Sequence, residues 1–190
     1  METVKYFETI KCEDFEIFNL EYHNKRVSNT IGLNINLQEY IYPVSNELLR
    51  CKVIYDKNEI IDVLYFPYKK REIKNFRLIF DDKIEYEKKY LDRTNLDKLF
   101  EQKENSDEII IVKNGVITDT SIANIAIFYE NIWITSKNCL LKGTTRNRLI
   151  EEKKLVEKDI NLKMLKSASN LALMNAMIGF DEIKDYSLSK

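Results

Sequence analysis

One stretch, Asp107 to Leu149 (DEIIIVKNGVITDTSIANIAIFYENIWITSKNCLLKGTTRNRL), leaves this chain few ways to fold. Ile109 to Val112 is a short unbroken apolar run that fits a strand buried on both faces. Lys113-Asn114-Gly115 follows, and Asn-Gly tolerates the positive φ of a tight hairpin. Val116 to Thr118 reads as the returning strand and runs into Asp119. Asn124 to Phe128 is a further strand, turned at Glu130-Asn131 into Ile132 to Thr135. The stretch closes on Leu141-Lys142-Gly143-Thr144-Thr145-Arg146, where a glycine and two hydroxyl residues open a helix running to Lys154. An acid leaving one strand, an Asn heading the next and a Gly-Thr-Thr helix start read as three parts of one site.

Upstream, Tyr6 to Cys12 alternates as a strand, Glu13-Asp14 turns it, and Phe15 to Phe18 returns. Asn19 suits a helix N-cap, its side-chain oxygen accepting an orphan N–H. In the helix LEYHNKRVSNTI that follows, Leu20, His23, Val27 and Ile31 share a face. Residues 33 to 80 read as a small α+β region. It has a short helix at Ser45 to Arg50 and strands at Cys51 to Tyr55, Ile60 to Tyr65 and Phe76 to Phe80. A strand ending in Lys88-Lys89-Tyr90 precedes a helix that Thr94 can cap, with Asp97 three residues on and Leu96, Leu99 and Phe100 at core spacing. After the middle stretch, Ser167 caps a short turn and Leu171 to Met174 forms a buried strand, with a polar tail beyond Phe180.

Bulk properties exclude several classes. Thirty basic against thirty-one acidic residues, scattered rather than blocked, give no field for nucleic acid. Cys12, Cys51 and Cys139 are odd in number and lack metal-ligand spacing, which predicts free thiols in a reducing compartment. No apolar run reaches membrane-spanning length, and the N-terminus lacks a signal-peptide apolar region. The sequence reads as a cytoplasmic protein without nucleic-acid or membrane partners and without a metal site.

The order and spacing of Asp119, Asn124 and Leu141-x-Gly143-x-Thr145-Arg146 resemble the fold-type IV, pyridoxal-phosphate-dependent enzymes, the class IV aminotransferases and 4-amino-4-deoxychorismate lyases. His23-Asn24-Lys25-Arg26, preceded by Phe7-Glu8-Thr9, is similar to the His-x-x-Arg helix of that family. Lys89-Tyr90-Leu91-Asp92-Arg93 is similar to the Lys-x-x-Asn-Arg of its lyase-type members, with Asp for Asn. Met174-Asn175-Ala176-Met177 resembles their Asn-Ala-Leu-Met segment. The resemblance implies an α/β (α+β) two-domain fold of the D-amino acid aminotransferase type. A trimmed N-terminal α+β domain would span 1–86, and a mixed β domain with helices 87–190.

It also implies pyridoxal 5'-phosphate as cofactor, Lys89 as the catalytic lysine that carries it, Arg26 on the phosphate, and Asp119 on the pyridine nitrogen in place of the family's Glu. By the same resemblance Thr144 and Thr145 serve the phosphate, Leu141 packs on the ring, Asn124 belongs to the site, and Asn175 and Ala176 close on the phosphate. The residue types suit these roles. A guanidinium fork matches a phosphate dianion, a helix start offers N–H groups to an anion, and a lysine nucleophile has to shed its proton. Each residue also has an ordinary reading: a packed His23, solvated Lys88 and Lys89, a turn-capping Asp119, a Thr N-cap, and a Met-rich core run.

Three functions follow. The first is a 4-amino-4-deoxychorismate lyase that releases pyruvate to leave 4-aminobenzoate for folate synthesis. The second is an aminotransferase on branched-chain or D-amino acids, and the third a non-catalytic relative. The resemblance implies a homodimer acting on a small amino substrate.

Overall fold

The computed structural model describes residues 3–189. The chain divides into two compact units, 1–70 with 88–92 and 71–87 with 93–190.

In the first unit, β1 (Tyr6–Glu13) and β2 (Glu16–Ile17) form a hairpin, followed by α1 (Leu20–Ile31), β3 (Leu49–Tyr55) and β4 (Ile60–Pro67). The sheet order is β2-β1-β3-β4, antiparallel throughout. Strand alternation sends Ile10 and Cys12 of β1 and Leu49, Cys51, Val53 and Tyr55 of β3 into a core with Val27, Leu37 and Ile41. Helix α1 spans the expected residues and ends on Gly32 at φ 76°, whose N–H donates to Ser28 O. Asn19 caps α1 differently from the expectation. It sits at φ 54° and its side chain makes no capping bond, so it serves by tolerating the left-handed backbone. No helix forms at Ser45 to Arg50, because Leu49 already pairs with Cys12 and the cross-strand bonds decide the backbone. A 3₁₀ turn occurs earlier instead, at Leu37–Glu39, where the Asn36 side chain accepts from Gln38 N.

The second unit holds β5 (Asn75–Phe80), α2 (Thr94–Glu101), β6 (Glu108–Lys113), β7 (Val116–Thr120), β8 (Asn124–Tyr129) and β9 (Ile132–Ser136). Then come α3 (Thr144–Glu151), β10 (Val156–Lys158), β11 (Ile160–Asn161), α4 (Leu162–Ser167), β12 (Asn170–Asn175), β13 (Gly179–Ile183) and β14 (Ser187–Ser189). Strands run in the order β10-β9-β8-β7-β6-β5-β14, while β11 pairs β7, and β12 pairs both β8 and β13. Ile109 to Val112 is buried at every position, as the unbroken apolar run predicts. Asn114 and Gly115 take φ 51° and 77° at the β6–β7 turn, and Glu130 and Asn131 repeat the shape at φ 52° and 64° between β8 and β9. The polar tail supplies β14, which adds to β5 in parallel.

The units join the chain differently from a division at residue 86. Residues 71–87 belong to the second unit, since β5 pairs in parallel with β6. Residues 88–92 belong to the first: Tyr90 bridges Tyr6, Phe7 N donates to Lys89 O, and Leu91 N donates to Lys5 O. Lys88 to Tyr90 is thus one bridged residue with its neighbours rather than the end of a strand. The N-cap of α2 is Arg93, with no side-chain cap bond, so Thr94 is the first helical residue. Asp97 instead pairs with Arg93. No described helix is long and apolar enough to cross a membrane.

Candidate active site

The acid and the Asn of the central motif are direct cross-strand partners, Asp119 on β7 opposite Asn124 on β8. A tight turn over the four residues between them makes the spacing work. Thr120 N and Oγ1 both donate to Ala123 O, and Oγ1 accepts from Ile122 N and Ala123 N. The Asn124 side chain then links three segments. Its Nδ2 donates to Asp119 Oδ1 and to Leu141 O (2.7 Å), and its Oδ1 accepts from Gly143 N (3.1 Å). Asp119 Oδ2 accepts the backbone N–H groups of Leu140 and Leu141. Asp119, Asn124, Leu141 and the start of α3 are therefore one hydrogen-bonded assembly, as the sequence predicts.

Burial pushes the Asp119 carboxyl up to about 7, against the N–H of Leu140, the Asn124 amide, the N–H of Leu141 and the Arg146 charge. Gly143 holds the N-cap position of α3, and no side chain caps that helix. A Cβ at Gly143 would lie 2.1 Å from Asn124 Oδ1. We expect Gly143→Ala to displace Asn124 and cost about 1–3 kcal/mol of stability, read as a lower urea midpoint. A midpoint equal to wild type would mean that Asn124 yields without loss. Thr144 and Thr145 are buried in the first turn. Arg146 and Arg148 find their anions within the protein. Arg146 is buried, donating to Ser136 O (2.8 Å) and Glu157 Oε1 (2.5 Å), and Arg148 pairs with Glu152. The helix ends at Glu151 because Lys153 turns left-handed at φ 59°.

Asn175 stands at the end of β12. Its Oδ1 accepts from Met177 N and Ile178 N across the turn that holds Ala176, and its Nδ2 donates to Ile122 O (3.3 Å). Asn175 is thereby tied to the Asp119–Asn124 turn.

In the first unit, Glu8 is the residue that sequence reasoning quoted without giving it a role. Fully buried on β1, it accepts from Arg26 Nε (2.8 Å) and Nη2 (2.5 Å) and from His23 Nδ1 (2.5 Å). Burial alone would raise its carboxyl. The Arg26 charge, with hydrogen bonds from His23 and Arg26, outweighs this and holds it at about 2. His23 is buried, and burial lowers its pKa, so the neutral ring donates Nδ1–H to Glu8. Its Nε2 is buried without a hydrogen-bond partner. The packed-histidine reading holds. Lys89 lies 4.6 Å over the Phe7 ring, whereas Lys88 Nζ donates to Thr30 O (3.1 Å) and stands over Tyr6.

In the first unit, the Lys89 amine suits an aldehyde and the Arg26 guanidinium a phosphate dianion. In the second, the start of α3, with no side-chain cap and with Thr144 and Thr145 buried, suits an anion, and the buried Asp119 carboxyl, raised toward neutrality, suits a ring nitrogen.

Comparison with known proteins gives the family. The family described as amino-transferase class IV matches residues 88–186. An uncharacterized protein of Haemophilus influenzae strain Rd is 33% identical over 184 residues, covering 91% of this chain and 97% of that protein. A solved candidate 4-amino-4-deoxychorismate lyase from Haemophilus somnus 129PT is 33% identical with a TM-score of 0.86, covering 94% of this chain and 99% of that one. A hypothetical aminotransferase from Mycobacterium tuberculosis, solved in its PLP-bound form, is 13% identical with a TM-score of 0.76, covering 97% and 81%. That last likeness is one of fold. The chain belongs to the class IV aminotransferase family, a family of enzymes with the fold-type IV architecture.

Proposed function

We propose that this protein is a pyridoxal-phosphate-dependent lyase that releases pyruvate from 4-amino-4-deoxychorismate and leaves 4-aminobenzoate. The observation that carries the substrate assignment is the likeness, over nearly the whole of both chains, to the Haemophilus somnus protein. The placement of Arg93, four residues after Lys89, supports it. Its guanidinium donates to Ser121 O (3.0 Å) in the turn that follows Asp119.

When bound, the cofactor supplies an electron sink for charge left on the substrate carbon. Lys89 would hold the cofactor aldehyde and would move the proton at the substrate carbon. Asp119 would accept from the ring nitrogen, and Asn124 fixes the orientation of its carboxyl through Oδ1. Leu141 would pack on the ring face. Arg26, Thr144 and Thr145 would hold the phosphate, with Asn175 and Ala176 closing on it. The working form in this reading is a cytoplasmic homodimer in the folate route.

Arg26→Ala removes the phosphate guanidinium and strands the Glu8 carboxylate with His23 alone. Cofactor affinity should fall about tenfold or more in a fluorescence titration; an unchanged dissociation constant would take Arg26 out of the site.

The test of function is incubation of cofactor-loaded protein with 4-amino-4-deoxychorismate. Pyruvate and 4-aminobenzoate in equal amounts are expected. Keto-acid exchange between amino donors, without either product, would make the protein an aminotransferase. Bound cofactor with neither reaction would make it a binding relative.

A further inference from the structure

The sheet of the first unit has one face under α1, to which Glu8, Ile10 and Cys12 turn. Alternation and register give the other face Phe7 and Thr9 from β1, Arg50 and Lys52 from β3, and Leu64 and Phe66 from β4. Lys52 is at its centre, opposite Thr9 on one side and Leu64 on the other. Its ammonium lies 5.2 Å from the centroid of the Phe7 ring, the ring that Lys89 Nζ approaches to 4.6 Å. Arg50, two residues earlier on the same face, stands 5.1 Å over Phe66.

A strand lysine is ordinarily paired with an acid across the strand or left in solvent. Lys52 does neither. It is half-buried and forms no ion pair among the described residues. Asp62, the nearest acid in register, accepts the N–H of Val63. Two like charges gathered at one ring oppose each other, and an anion held by Lys52 on the side away from the ring face relieves that opposition.

We propose that Lys52 seats a substrate carboxylate, with Phe7 as the apolar floor between it and Lys89. The assignment rests on Lys89 being the catalytic lysine and narrows the substrate class. The reacting amine and the carboxylate belong at opposite ends of a small ring that lies along Phe7. An α-amino acid, whose carboxylate adjoins the amine-bearing carbon, makes no use of Lys52.

The test is calorimetric titration of cofactor-loaded protein with 4-aminobenzoate and with 4-aminobenzamide, which keeps the ring and amine and lacks the charge. Wild type is expected to prefer the carboxylate. Lys52→Met should weaken 4-aminobenzoate roughly tenfold, the scale of one charge-assisted contact, and leave the amide unchanged. Lys52→Arg should retain the preference, which separates a charge effect from a folding defect. Equal binding of both compounds by wild type, or no loss in Lys52→Met, overturns the inference.

Borohydride reduction and peptide mapping of the same samples report on Lys89 separately. Cofactor trapped on Lys89 with no Lys52 effect removes the carboxylate seat and leaves the lyase reading standing. A Lys52-dependent preference without trapping removes the lyase reading and with it the substrate role of Lys52, leaving only an anion contact.

Discussion

Lys89→Ala is expected to abolish covalent capture of pyridoxal phosphate and to lower turnover by roughly a thousandfold or more, on the scale seen when an enzyme loses a covalent nucleophile. Lys88→Ala is expected to leave both within a fewfold of wild type. The two residues are adjacent and chemically identical, so only placement separates them. Lys88 is committed to the carbonyl of Thr30 at the end of α1 and to the Tyr6 ring. Lys89 sends its ammonium to Phe7, while its own carbonyl accepts Phe7 N–H and so pins the backbone at that point. Visible absorbance after cofactor addition, followed by borohydride reduction and mass mapping, reads the outcome. Equal loss in both variants would sink the assignment, as would label spread over surface lysines.

The second large effect is at Asp119. Burial raises its carboxyl from the usual 3.8 to about 7, so the native state binds this proton more tightly than the unfolded state does. The group therefore costs nothing below about pH 3.8. Its penalty grows as pH rises from there and is complete above about pH 7, at on the order of 4 kcal/mol in cofactor-free protein. Two other buried groups have the opposite sense. Glu8, held at about 2, contributes stability that is lost as pH falls below 4.5, and His23, lowered from 6.5, favours the folded state as pH rises toward that value.

Comparison of Asp119→Asn with wild type cancels both. The variant should be more stable than wild type at pH 8 and lose that advantage by pH 4.5, where an amide paired against the Asn124 donor costs about 1 kcal/mol. On the proposed role of Asp119 at the ring nitrogen, turnover should drop about a hundredfold or more with the loss of that preorganised charge. Urea midpoints at several pH values and steady-state rates give both quantities. Parallel stability curves for the two proteins would show that Asp119 is not the titrating group. A carboxyl that destabilises the fold at neutral pH is the kind of strain that binding sites retain.

Much of this was legible in the residues. The β6–β7 hairpin followed from Asn114-Gly115 because few residues accept positive φ without strain, and the buried β6 followed from four consecutive apolar residues. Helix α1 could be read to its last residue, since Gly32 ends it by a backbone rule. The grouping of Asp119, Asn124, Leu141 and Gly143 was also present in the sequence. A four-residue turn between strands can close in few ways, and its ends must then face each other.

Other features depended on partners distant in the chain. Ser45 to Arg50 carries local helix signals, yet Leu49 lies against Cys12, and the cross-strand bonds outweigh a short helix. Residues 88–92 join the first unit through Tyr6 and Lys5, while 71–87 join the second through β6, a division that composition does not mark. The partners of Glu8, Arg146 and Lys52 were equally hidden. Glu8 is eighteen residues from Arg26, Arg146 reaches across to Ser136 and Glu157, and Lys52 meets Phe7 across a strand. Local sequence determines backbone conformation where steric rules act over a few residues, whereas a buried charge takes its meaning from whichever groups the folded chain brings against it.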